Sequence, residues 1–223
     1  MRRLSLPLTL LTVAGLAACA IAEDAPSRAT QAAQATPETP AVTALAIGSK
    51  APMTDVKMKN VDGKDVTIAG LKGTKGTLVV FTCNACPFAK AWEQRIVTLG
   101  NTWSKKGIGV IAINPNDPAK VAEDGYAQMK ERAKARKMAF PYAVDASSDI
   151  ARAYGATRTP EAFLFDAEGT LVYHGAVDDN RDAAGVKTRY LEEAIKAIAA
   201  GQAVPTAETK SVGCTIKWRN AKA

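Results

Sequence analysis

The period of the apolar residues changes within one short stretch, 77–103, and the remaining elements are arranged about that change. Residues 78–82 read Leu-Val-Val-Phe-Thr, an unbroken apolar and β-branched run that predicts a buried strand. From Phe88 the apolar residues recur at helical spacing, through Trp92, Ile96, Leu99 and Trp103. That helix is expected to end near Lys105-Lys106-Gly107, where basic residues followed by glycine suit a C-terminus. A second continuous apolar run over 108–113 predicts a strand covered on both faces. Upstream, 53–59 and 65–68 read as short strands joined through Asn60-Val61-Asp62-Gly63, an Asp-Gly hairpin signal. Downstream, Asp117 and Pro118 read as the cap and first position of a helix reaching about Lys137. A strand over 140–144 follows, then a short helix capped by Ser147 or Ser148 and ending near Tyr154-Gly155. Strands over 161–166 and 170–174 turn at Ala167-Glu168-Gly169. A last amphipathic helix over 186–200 presents Tyr190, Leu191, Ala194, Ile195 and Ile198 on one side. Strands alternating with helices predict an α/β fold with a parallel-centred sheet, and the closing hairpin adds an antiparallel edge.

The first 46 residues lack this patterning. Met1-Arg2-Arg3 precedes an apolar stretch over 4–16, shorter than the roughly 20 residues that span a bilayer, which describes a secretory signal. It ends Leu16-Ala17-Ala18-Cys19, which resembles a bacterial lipobox, whose cysteine is lipidated and becomes the mature N-terminus. Ordinary cleavage after Ala20-Ile21-Ala22 is the alternative. Residues 20–46 are rich in Ala, Thr, Pro and Gln and are expected to be a disordered linker. Residues 47–200 are then one domain, with 201–223 as its tail. By resemblance to bacterial lipoproteins, Ala20 differs from the Asp usual in inner-membrane retention. The expectation is an exported, periplasmic protein anchored to the outer membrane.

The 223-residue chain has a formal charge of +7, and losing Arg2 and Arg3 with the signal leaves +5. The basic residues are dispersed. The densest run, 130–137, falls on a predicted helix and reads as a solvated face, not as a nucleic-acid footprint. Lys90 and Arg95 are expected on a solvated face too. Membrane contact is expected only through the lipid anchor.

The chemistry lies where the period changes. Cys83-Asn84-Ala85-Cys86 joins the strand to the helix. Free N–H groups and the positive end of the dipole favour a thiolate at a helix N-terminus. Two cysteines three apart can close a disulfide, one attacking a substrate and the other resolving the mixed disulfide. A zinc site would need a second ligand pair, and only Cys19, Cys214 and His174 are left to supply it. A plain structural disulfide is the other alternative. Cys83 is expected to be the nucleophile, the helix cap and the more exposed of the two, with Cys86 resolving. Cys214 is unpaired on this reading, either an auxiliary resolving thiol, a small buried hydrophobe or a partner across a dimer.

These elements resemble the thioredoxin superfamily, through Phe81-Thr82-Cys83-Asn84-Ala85-Cys86-Pro87, Thr159-Pro160 ahead of a strand, and the closing hairpin and helix. The resemblance implies a central mixed sheet flanked by helices, here with an N-terminal β-hairpin extension. It also implies a cis Pro160 against the cysteines, with Thr159 offering its backbone to an extended substrate. A trans turn proline is the plain alternative. More narrowly, Cys83 to Phe88, Ala112 to Pro118, Ala151 to Ala156 and Gly213 to Trp218 are similar to the peroxiredoxin-like, redoxin (AhpC/TSA) subgroup. True peroxiredoxins carry PxxxTxxC; counting back from Cys86, the Thr position is Cys83 and the Pro position is Val79. Arg158 lies near the place of the arginine those enzymes use. Copper chaperones of this fold pair two cysteines with a later histidine, as His174 would be, but space them CxxxC. The expected activity is thiol–disulfide exchange with protein thiols or disulfides, with peroxidase chemistry on a small oxidant through Cys86 and Cu(I) or partner binding as alternatives. The resemblance implies no bound cofactor or metal.

Overall fold

The computed structural model describes residues 42–220. The signal-like segment, Cys19 and linker residues 20–41 lie outside the described residues. The strands are β1 (Met58–Asn60), β2 (Asp65–Val66), β3 (Gly76–Phe81), β4 (Ile108–Asn114), β5 (Tyr142–Val144), β6 (Arg158–Thr159), β7 (Glu161–Asp166), β8 (Leu171–Gly175) and β9 (Cys214–Thr215). The helices are α1 (Pro87–Trp103), α2 (Tyr126–Arg136), α3 (Asp149–Tyr154) and α4 (Tyr190–Ala199).

Seven strands form one mixed sheet in the order β2-β1-β5-β4-β3-β7-β8, as the α/β reading requires. β3 pairs parallel with β4 and antiparallel with β7, while β4 pairs parallel with β5. Every residue of β3 is buried, because layers cover both faces. Leu78 and Val80 face Trp92, Ile96, Met129, Leu191 and Ile195, so α1, α2 and α4 pack on that side. Val79 and Phe81 face Ile150, Tyr154 and Phe163, so α3 covers the other. Phe81, Tyr154 and Phe163 meet edge to face at 5.4–5.6 Å, a favoured aromatic geometry. The outer edge of β8 is not bare. Gly48 N–H donates to Leu171 O and Leu171 N–H to Ser49 O, both at 2.8 Å. Further along, His174 N–H donates to Ala207 O (2.9 Å) and Thr209 N–H to His174 O (3.0 Å).

Several expectations need correction. Residues 53–57 are not strand: Met53 has φ 53° and its carbonyl closes a turn on Val56. Asp117 does not start the second long helix. Its carboxylate accepts Ala119 N–H and its carbonyl accepts from Lys120 and Val121, which makes an isolated turn, and α2 begins nine residues later. Ser148 has φ 61° and makes no cap on α3; Ser147 Oγ accepts Asp149 N–H, and the buried Asp145 carboxylate takes Ala151 N–H at 2.9 Å. Residues 186–189 stay outside α4 because Asp179 accepts Lys187 N–H and donates to Thr188 O. Arg95 is not on a solvated face but reaches Asp178 (2.6 Å), which also accepts Trp92 Nε1–H. The basic run is mostly exposed, as expected of a solvated face, but Arg132 and the exposed Arg136 both pair with the buried Glu93. Finally, Leu45 packs on the core and donates to Tyr154 O, so the packed chain starts before residue 47. Among the described residues no helix is long and apolar enough to cross a membrane.

Candidate active site

β3 hands the chain to the cysteine loop at the carboxyl end of the sheet. Thr82 N–H extends the ladder to Ile113 O, residues 84–85 bend, and α1 starts at Pro87. Proline suits the first helical position, where an N–H has no internal partner. That fixes the cap one residue earlier, on Cys86, whose Sγ accepts Ala89 N–H at 3.5 Å. Cys83, expected at the cap, stays on the strand side of the loop. Both cysteines are buried almost equally, at 5% exposure for Cys83 and 4% for Cys86.

Thr159 meets both sulfurs. The Thr159–Pro160 peptide is cis. Cys83 Sγ lies 3.1 Å from Thr159 Oγ1, and the Cys86 thiol donates to Thr159 O at 3.3 Å. The two cysteines are driven apart in acidity. The Cys83 hydrogen bond, helped by Cys214 and Ala89 N–H, holds Cys86 well below the ordinary thiol range, although burial opposes it. Cys83 is pushed up by its hydrogen bond to Cys86, by burial and by the nearby Asp124 charge. The Thr159 carbonyl favours a protonated Cys86, but the three donors outweigh one acceptor. The balance of these causes favours loss of the first proton from Cys86 over Cys83.

Asp124 was not legible as a site residue. It is buried, and one carboxylate oxygen accepts Asn84 N–H (2.6 Å) and Ala85 N–H (3.2 Å) from between the cysteines. The other accepts Asn116 Nδ2–H at 2.7 Å, while Asn116 Oδ1 accepts Lys217 N–H at 2.8 Å. Asn84 itself is pinned by Glu123 O and the Tyr142 hydroxyl. This circuit fixes the loop and ties it to the tail. Asp124 sits in an unremarkable Ala-Glu-Asp-Gly run, and only its burial singles it out.

The tail changes two further expectations. Thr159 does not present a free backbone: β9 pairs antiparallel with β6, matching Thr159 to Cys214. Gly213 makes this approach feasible, since a Cβ there would collide with the Thr159 carbonyl. Arg158 is exposed and donates to Gly213 O at 3.0 Å, so it secures the tail and is hydrogen-bonded to neither sulfur. Cys214 is brought in, packed with Cys83, Cys86 and Ala89. His174 is not joined to the sulfurs. Its Nε2 lies 2.7 Å from Glu161 Oε1 and its ring stacks on Phe163 at 4.4 Å. Among the described residues no group of three or more His, Cys, Asp or Glu is arranged to hold a metal ion.

The sequence model of the AhpC/TSA family matches residues 47–174. The solved structure of a hypothetical protein from Sinorhizobium meliloti is 35% identical with a TM-score of 0.73, covering 79% of this chain and 97% of that one. A thiol:disulfide interchange protein of the thioredoxin family from Chlorobium tepidum shares the fold at 23% identity and TM-score 0.51, over 70% of this chain and 99% of that one. The thiol-disulfide oxidoreductase ResA of Bacillus thuringiensis is 25% identical over 128 residues, 57% of this chain and 68% of that protein. The sheet order, the CxxC at the head of α1, the cis peptide facing it and the span of the family match agree: this chain belongs to the AhpC/TSA family, the redoxin branch of the thioredoxin superfamily.

Proposed function

We propose that this chain is a thiol–disulfide oxidoreductase that passes electrons between the Cys83–Cys86 pair and protein thiols or disulfides. The observation that carries the reading is the placement of both sulfurs at the head of α1 against Thr159, 3.1 Å from its Oγ1 and 3.3 Å from its carbonyl oxygen. The position of Cys86 as the cap of α1, with Ala89 N–H donating to its Sγ, supports Cys86 as the attacking thiolate and Cys83 as the resolving thiol, the reverse of the order expected from the sequence. Attack by Cys86 on a substrate disulfide forms a Cys86–substrate bond and expels a substrate thiolate. Cys83 then gives up its proton and attacks Cys86, closing Cys83–Cys86 and releasing the second substrate thiol. A substrate disulfide is reduced and the pair oxidised; the reverse sequence oxidises a dithiol. The test is exchange with a disulfide-bonded peptide. Cys86→Ser loses the reaction, while Cys83→Ser retains one stoichiometric attack without sustained full-rate turnover. Full turnover in either variant overturns the proposal, and loss of the first attack only in Cys83→Ser restores the original order.

A second reading, hydroperoxide reduction through Cys86, is favoured by one feature: Cys86-Pro87 opens α1 where the peroxidatic cysteine of this family would stand. Against it are Cys83 in the Thr position and the engagement of Arg158 with Gly213. One equivalent of hydrogen peroxide added to the reduced chain decides. Thiol loss within seconds supports a peroxidase; loss over many minutes, at the pace of an ordinary thiol, leaves disulfide exchange.

The N-terminal pattern supports export, with Cys19 as a lipidated anchor on the periplasmic side of an outer membrane. Cys19→Ala is then expected to move the protein from the membrane fraction to the soluble extracytoplasmic fraction. An unchanged distribution refutes the anchor.

A further inference from the structure

Three thiols, not two, meet at the start of α1. Cys214 lies on β9, the strand paired with Thr159, and packs against Cys83, Cys86 and Ala89. Phe88, in the first turn of α1, packs against the same cluster. Cys86 Sγ in turn contacts Thr159 O, on the residue whose backbone Cys214 faces. The tail thus holds Cys214 where an extended substrate would hold its own cysteine. The exposures differ in the same sense. Cys83 and Cys86 are 5% and 4% exposed, whereas Cys214 is half-buried. A disulfide closed between the inner two is shielded from a protein partner, and Cys214 is at the outer end of the cluster.

We propose that Cys214 is a third redox thiol, which carries the disulfide from the buried Cys83–Cys86 pair to the surface. The proposal rests on the reading of Cys83 and Cys86 as an exchange pair. The Cys214 thiolate attacks Cys86 Sγ in the oxidised site. The Cys86–Cys214 bond forms, the Cys83–Cys86 bond breaks, and Cys83 leaves as a thiolate. The proton lost by Cys214 is balanced by the one Cys83 takes up, and Thr159 Oγ1 is within 3.1 Å to donate a hydrogen bond to the leaving sulfur. No outside oxidant is needed, because the disulfide only changes place. A thiolate of a partner dithiol then attacks Cys214, expelling Cys86 as the thiolate, the better leaving group because its acidity is raised. The partner's second thiol releases Cys214, giving a partner disulfide and three thiols in this chain.

The local charges favour this order. In the reduced site, burial and the Cys86 sulfur hold the proton on Cys214. Once Cys86 is in a disulfide its charge is gone, while Lys217 and Phe88 N–H continue to favour the Cys214 thiolate. Burial still opposes the Cys214 thiolate, but with the Cys86 charge gone it forms more readily than in the reduced site.

The test uses the full chain with Cys19→Ser, leaving three thiols. The chain is oxidised with one equivalent of diamide, blocked with N-ethylmaleimide at acid pH and digested without reductant. Peptide mass analysis is expected to find the 86–214 linkage beside the 83–86 linkage. In a second arm the oxidised chain meets reduced, denatured ribonuclease, and its disulfide is followed in quenched samples. Cys214→Ser is expected to slow that reaction about tenfold, because access limits exchange, while reduction by small dithiothreitol changes less. Equal rates with ribonuclease in the parent and Cys214→Ser chains overturn the proposal, whether or not the 86–214 peptide is seen. Failure of both chains to exchange with either dithiol is a different result: it removes the exchange reading, and this proposal with it.

Discussion

Replacing Asp124 by asparagine removes a charge and reverses one hydrogen-bonding direction without changing the size of the side chain. Asn84 N–H and Ala85 N–H, now 2.6 and 3.2 Å from the carboxylate, would still find a carbonyl oxygen. Those bonds would drop from charge-assisted to neutral strength, a loss of about 1 kcal/mol each. The second oxygen becomes an NH2 group aimed at the Asn116 NH2 group, which lies 2.7 Å from that position. Asn116 cannot turn over to accept, because its own oxygen already accepts Lys217 N–H at 2.8 Å. The two NH2 groups then face each other, and at least one buried donor is left without an acceptor, at a cost of about 1–3 kcal/mol. The variant should therefore lose about 3–5 kcal/mol, a large share of the roughly 5–15 kcal/mol that holds a domain folded. Urea unfolding of the reduced protein measures this, read as a fall in midpoint at constant slope. A second readout is chemical: removing the negative charge takes away one cause of the high Cys83 value, so the second thiol titration should move down. A stability loss below about 1 kcal/mol would refute the closed donor–acceptor circuit inferred for these residues.

Three further outcomes are expected. Gly213→Ala should lift the tail from Thr159, since the new Cβ meets backbone that cannot yield, and speed alkylation of Cys86 by about tenfold through better access; an unchanged rate means that the tail does not limit access. Tyr154→Phe should raise stability by about 1 kcal/mol and the melting temperature by about 2–4 °C, because the buried hydroxyl has no hydrogen-bond partner among the described residues; a lower melting temperature contradicts this. The reduced protein should gain stability, relative to Cys86→Ser, as pH rises from the lowered Cys86 value to about 8.5, the free-thiol value. In that window the unfolded chain holds a proton that the folded chain has lost. Above it the sign reverses, because folded Cys83 keeps a proton that the unfolded chain sheds, and urea midpoints across pH 5–10 that lack a maximum would contradict the split.

The central elements were readable because their burial is written in residue type. β3 and β4 are continuous apolar runs, and α1 repeats Phe88, Trp92 and Ile96 at helical spacing. The cysteines and the Thr-Pro pair were readable because their chemistry depends on short spacing or local order. What escaped depends on distant partners. Asp117-Pro118 is a sound helix start by local preference, yet Asp117 N–H is claimed by Lys217 O at 2.7 Å, from the tail. Asp124 acts on a loop 39–40 residues earlier in the chain. The assignment of the cap to Cys83 failed by one local detail, the fit of Pro87 to the first helical position. For Cys214 the sequence left an auxiliary thiol, a buried hydrophobe and a dimer partner open; that it lies beside Cys86 follows from the route of the last twenty described residues across the site.

The pairing of residues 48–51 and 207–209 along β8 has a bearing on self-association. An unpaired strand edge is a template for another copy of the chain. At the opposite margin of the sheet, β2 is only two residues long, with the exposed Lys64 before it and the exposed Asp65 as its first residue, a poor template. β8 is longer and largely buried, and without its two flanking segments it would offer an apolar ladder to a neighbour. The tail that covers the thiols is therefore also one of the guards against aggregation, and its Val204 adds to the packing over the core. A chain cut at Gly201 would expose sulfurs and sheet edge together, so its precipitation would say nothing about redox chemistry. Single substitutions such as Gly213→Ala, which loosen the crossing at Thr159 and leave the 207–209 pairing in place, separate the two roles.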